Sequence, residues 1–103
     1  METGGYVYIM TNINRTTLYV GVTSNLPQRV LEHKNHLYPD SFTSKYNLEI
    51  CIFFEYFGTI ESAIGREKEI KKWRRAKKDK LINKMNEDWI DLGDKIRAMK
   101  KGV

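Results

Sequence analysis

Cysteine is almost absent from this chain of 103 residues. The one thiol, Cys51, sits in the apolar run Ile50-Cys51-Ile52-Phe53-Phe54, so an internal disulfide and the Cys-rich patterns of zinc and redox sites are excluded and a reducing compartment fits best. No apolar stretch approaches the roughly 20 residues that cross a bilayer. Met1-Glu2-Thr3-Gly4-Gly5 has neither the basic segment nor the apolar core of a secretory signal. The expectation is a soluble, cytoplasmic protein with no membrane partner. Internal repeats, low-complexity tracts and Gly/Ser- or Pro-rich linkers are missing as well, so residues 1–103 read as one domain with a core over about 5–92 and a charged tail over 93–103. Positive charge is what the chain has in plenty. Eighteen Lys and Arg against 13 Asp and Glu leave a net +5 and a sequence pI near 9.4, a balance that favours polyanions and puts nucleic acid first among partners. Hydrophobic residues at 41% supply enough apolar surface for a core and argue against disorder.

Tyr6 to Met10 and Leu18 to Val22 are β-branched and aromatic runs joined by a polar, Asn-containing loop, the pattern of a β-hairpin. Pro27, with Ser24 and Asn25 as candidate caps, opens a helix that can run to about His36. Leu37 to Leu48 breaks any period and reads as an irregular connection carrying Thr43, Ser44 and Lys45, able to touch a ligand. Glu49 to Phe57 reads as a buried third strand ended by Gly58. Thr59 caps a second helix reaching about Arg75, a basic helix covers Lys77 to Met85, and Trp89, Ile90 and Leu92 form a tail that packs back. The expected class is α+β: a three-stranded antiparallel sheet flanked by helices in the order β-β-α-β-α-α.

At about 100° per residue, Ile60, Ala63, Ile64 and Ile70 fall within about 60° of Glu67, which places a carboxylate on the apolar stripe of the second helix. An ionised carboxylate there needs a cation, either a metal ion or a basic side chain in a structural ion pair. On the first helix Arg29, His33 and His36 fall at i, i+4 and i+7 as a polar stripe that borders the core without entering it. Arg offers a fork for phosphate oxygens and His can move a proton near neutral pH; a plain solvated face is the alternative. Tyr6 and Tyr8 share one side of the first strand, and Tyr19 precedes Gly21, where a missing side chain can admit a ligand's backbone.

In this order the residues resemble the GIY-YIG endonucleases, in particular small single-domain bacterial proteins similar to the catalytic module of excision-repair and homing nucleases. Tyr6-Val7-Tyr8 matches the first motif, Tyr19-Val20-Gly21 the second, Arg29 and His33 the helical pair, and Glu67 within Ala63-Ile64-Gly65-Arg66-Glu67 the metal-binding carboxylate. Phe42-Thr43-Ser44-Lys45-Tyr46 and Asn86-Glu87-Asp88-Trp89-Ile90-Asp91-Leu92 are similar to stretches of the small-protein branch. Tyr6 stands where the first motif has glycine and Glu87 where proline is common. Asn83 and Asn86 are both candidates for the family's C-terminal Asn.

The resemblance implies hydrolysis of DNA phosphodiesters in repair or processing, structure-directed or low in sequence specificity, at one divalent cation, Mg²⁺ or Mn²⁺. Glu67 would be its ligand, Tyr8 or Tyr19 the group that orients or deprotonates water, and Arg29 and His33 the other catalytic side chains. Tyr6, Gly21, Lys45, Lys71, Lys72, Arg74, Arg75 and Lys78 are the expected DNA contacts, with a protein partner as a further source of specificity. A different class of function fits the basic run alone: a nucleic-acid-binding module on the same fold with weak or no cleavage.

Overall fold

The computed structural model describes residues 4–99. Its elements run β1 (Gly5–Thr11), β2 (Leu18–Thr23), α1 (Leu26–Lys34), α2 (Phe42–Lys45), β3 (Ile50–Phe57), α3 (Ile60–Lys71), α4 (Arg75–Met85) and α5 (Gly93–Met99). The strands form one antiparallel sheet in the order β2-β1-β3, so the first strand is central and β2 is an edge. Tyr8 lies opposite Gly21 in β2 and Phe54 in β3, and a register irregularity falls between Ile9 and Met10.

Alternation along β1 divides the core into two layers. Val7 and Ile9 join Val20, Ile52, Ala63, Ile70 and Ile82 on the face covered by α3 and α4, whereas Tyr8 and Met10 join Leu26, Val30, Leu48, Cys51, Leu92 and Ile96 on the other. Burial pushes the Cys51 thiol up to about 12, which marks it as an inert packing residue. Gly5 lets α3 approach closely, since a Cβ there would lie 3.2 Å from the Ala63 Cβ and displace the end of the Ile60 side chain.

Four local expectations are corrected. The first helix stops at Lys34 because His36 takes a left-handed φ of 54°, where its Nε2 sits 2.6 Å from Glu49; His36 therefore leaves the Arg29–His33 stripe. The connection after it contains α2, capped by Ser41, whose side chain accepts from the Ser44 N–H. The second long helix ends at Lys71, not Arg75, with no proline or glycine at the break. Ile70 and Ile82 explain it: in one continuous helix they would point about 120° apart, yet both enter the same apolar cluster. Finally, residues 93–99 are a packed helix and not a frayed tail, with Ile96 fully buried beside Leu92 and Met99.

Candidate active site

Tyr8 reaches the second core layer because its strand position points there, and it fits because its neighbour across the ladder is glycine. A Cβ on Gly21 would lie 2.5 Å from the Tyr8 hydroxyl. The space expected to admit a ligand is thus filled by the phenol itself. Tyr8 is almost fully buried, and its hydroxyl lies 2.8 Å from His33 Nε2. His33 is held from its other side by Thr43 Oγ1, 2.8 Å from Nδ1, and Ser41 Oγ lies 3.2 Å from that threonine. The histidine is a core residue, 4% exposed, in correction of the bordering stripe expected for it.

Burial sets the electrostatics. It raises the Tyr8 phenol above its ordinary value, assisted by Tyr19, while the Arg29 guanidinium beside it opposes the rise. Burial also lowers His33 to about 4, with Arg29 acting in the same direction. Imidazole is therefore neutral at physiological pH. A neutral imidazole has one donor and one acceptor nitrogen, so a Tyr8 O–H that donates to Nε2 goes with an Nδ1–H that donates to Thr43. Arg29 also donates to Glu32 at 2.9 Å and lies 5.5 Å from the Tyr38 ring centre.

Tyr19 joins the two sides of the sheet at the β2 edge. Its ring is 6.4 Å from Tyr8 and 5.7 Å from His33, stacks on Phe42 of α2 at 6.2 Å, and has Lys71 Nζ at 5.9 Å. Lys71 in turn pairs with Glu67 at 2.6 Å. Glu67 is 8% exposed, on the apolar stripe as expected. The cation that meets it is therefore Lys71 from the next helical turn. Arg29 belongs to the helix on the Tyr8 face and Glu67 to the helix on the opposite face, and Lys71, paired with Glu67, is the α3 side chain that reaches Tyr19.

The other expected contacts separate. Tyr6 packs on Phe54 and Tyr56 of β3, away from Tyr19. Arg75 is committed to Asp79 and to the carbonyls of Thr16 and Arg15, which ties the hairpin loop to α4. Lys45 is exposed at the end of α2; Lys72 and Arg74 are exposed in the turn before α4, and Lys78 is half-buried on α4. Asn86 closes α4 through the Ile52 and Ile90 carbonyls and the Ile90 N–H, while Asn83 accepts from the Trp89 indole. Both asparagines are thereby engaged on the α4 side of the sheet. Thr43, expected only on a loop able to touch a ligand, instead holds His33 from within the core.

A sequence profile of the GIY-YIG catalytic domain matches residues 4–83. The chain belongs to the GIY-YIG family. The matched span holds Tyr8, Tyr19, Arg29, His33 and Glu67 and stops within α4, so Asn86 and α5 lie beyond it. A UPF0213 protein of Syntrophus aciditrophicus is 34% identical over 77 residues, 75% of this chain and 87% of that one. Another, from Haloquadratum walsbyi, is 37% identical over 76 residues, 74% and 83% of the two chains. The solution NMR structure of a UPF0213 protein from Bacillus halodurans shares the fold, with a TM-score of 0.55, 23% identity, and coverage of 84% of this chain and 90% of that one.

Proposed function

We propose that this GIY-YIG protein is a DNA endonuclease that hydrolyses phosphodiester bonds at the β2 edge, with one Mg²⁺ or Mn²⁺ ion, acting with little sequence specificity in DNA repair or processing. The 2.8 Å contact between Tyr8 and a neutral His33 carries the reading. It is a proton path buried beside an arginine, an arrangement that packing alone does not call for.

The donor set suits a hard cation that keeps most of its waters. Among the described residues no cluster of three metal-ligating side chains exists, so Glu67 would hold the ion with water and phosphate oxygens completing the shell. Lys71 has to swing aside, and at 48% side-chain exposure it can. When bound, the ion supplies charge for the leaving 3′-oxygen. The protein's own groups do the rest. Tyr8 takes a proton from the attacking water as it passes its own to His33 Nε2. Arg29 neutralises charge growing on the nonbridging oxygens, and Tyr19, stacked on Phe42, flanks Tyr8 and His33.

In the free protein both shifts keep the proton on the phenol. A phosphate anion beside His33 and a cation near the phenol each reverse one of them, so the relay becomes active as substrate and ion arrive. Nicking of supercoiled plasmid with Mg²⁺ or Mn²⁺ tests the reading. Tyr8→Phe and Glu67→Gln should each lower the rate on the order of 100-fold or more while folding normally. Cutting that survives EDTA, or that both variants retain, overturns it. The Glu67–Lys71 pair satisfies the carboxylate without a metal and favours one competing reading, a DNA-binding module that does not cleave; binding without nicking would establish it.

A further inference from the structure

Arg66 of α3 and Trp73, in the turn that follows that helix, lie on the side facing β3 and α4, where Arg66 pairs with Glu55 of β3. Trp73 and Leu81 pack against the core layer on the sheet face opposite Tyr8 and Tyr19. Between α3 and α4 they form the apolar wall of a groove of about 540 Å³, rimmed by Arg66, Lys77, Lys80 and Lys84. The Arg66 guanidinium lies 5.2 Å and Lys77 Nζ 4.3 Å from the Trp73 ring centre.

The charges here are not spent on neighbours in the way those of Arg75 are. Arg66 pairs with Glu55 and Glu69, but among the described residues Lys77, Lys80 and Lys84 make no ion pair, and all three are exposed. Lys77 rests on the indole, and Lys80 and Lys84, with no ion pair of their own, flank the same apolar wall, which suits a ligand that is anionic at one end and flat and apolar at the other. A carboxylate-rich peptide would leave the indole wall unused, and an apolar helix would leave the lysines unmatched.

We propose that this groove is a nucleotide-binding site, separate from the Tyr8–His33 pair, that holds a base against Trp73 and Leu81 and the attached phosphate among Lys77, Lys80 and Lys84. Its occupant is either a free mononucleotide or one unpaired nucleotide of a strand whose scissile phosphate lies elsewhere. The chemistry is the same for both. Base–aromatic contact and phosphate neutralisation contribute independently, which gives each a separate signature.

Calorimetric titration of the full chain with 5′-deoxyadenylate and with 2-deoxyribose 5-phosphate measures the two parts. In parallel, polarisation with labelled dT12 and with a matched abasic strand measures them in a polymer. The intact base should strengthen binding about tenfold over its baseless counterpart in at least one pair. Lys80→Glu combined with Lys84→Glu, both on the surface and safe for folding, should weaken that same binding about tenfold or more. Tyr8→Phe should leave it unchanged, which keeps this site's failure distinct from failure of the nuclease reading. Response to the mononucleotide identifies a free nucleotide as the occupant, and response confined to dT12 identifies a strand. Equal binding of based and baseless probes, or affinity untouched by the double variant, overturns the proposal.

Discussion

At the scale of single residues, His33 and Gly21 give the sharpest expectations. His33 is lowered to about 4 in the folded protein and titrates near 6.5 when unfolded. Between those values the unfolded chain holds the extra proton, so stability is fully present above about pH 6.5 and falls as pH drops toward 4. The loss approaches about 3 kcal/mol. Thermal melts from pH 7 to 4.5 should show the decline in the parent and a flatter profile in His33→Gln, and identical profiles would refute the assignment. Gly21→Ala should push the Tyr8 ring off His33, because the added methyl and the hydroxyl cannot share 2.5 Å; a cost of about 1–3 kcal/mol, read from denaturant melts, is expected from the overpacking. Glu67→Gln should cost less than about 1 kcal/mol, since the freed Lys71 is half-exposed and water takes it up. A larger loss in the melts would show that the carboxylate is chiefly a structural partner.

Between residues and the whole chain, α5 and α2 matter most. α5 lies beyond the family match, yet it covers the layer that contains Tyr8: Ile96 is fully buried and the Leu92 N–H bonds the Cys51 carbonyl. Ile96→Ala should therefore destabilise by about 2–5 kcal/mol, visible in urea melts, and an unaltered midpoint would mean the helix is dispensable. The signal was in the sequence, because Leu92, Ile96 and Met99 fall at i, i+4 and i+7; the surrounding charges masked it. For α2 the cap at Ser41 was equally legible, but four residues are too few for periodicity to declare a helix. What α2 does, aiming Thr43 at a histidine ten positions earlier, is set by the loop's path over the sheet.

Over the whole molecule, the basic side chains of α3 and α4 are divided among three tasks. Lys71 faces Glu67, Arg75 clamps the hairpin loop, and Lys77, Lys80 and Lys84 line the groove. DNA affinity should fall with salt as phosphates are neutralised. Arg75→Ala should lower the melting temperature and leave the salt slope of binding nearly intact, whereas a slope reduced by about one charge would return Arg75 to the DNA interface. No helix among the described residues is long and apolar enough to cross a membrane.

The sequence by itself determined the strands, the stripe on α3 that buries Glu67, and the ordered motif through Tyr8, Tyr19, Arg29, His33 and Glu67, because alternation, helical period and residue type are local properties of the chain. Tertiary structure decided the remainder. It ended α3 at Lys71 so that Ile70 and Ile82 could share one cluster, and it drew His33 inward until burial made it neutral. The partner of Glu67 had a candidate four residues away in the chain, but only packing at the β2 edge brought Lys71 against Tyr19. Such outcomes depend on distances between residues far apart in sequence, which no local pattern encodes.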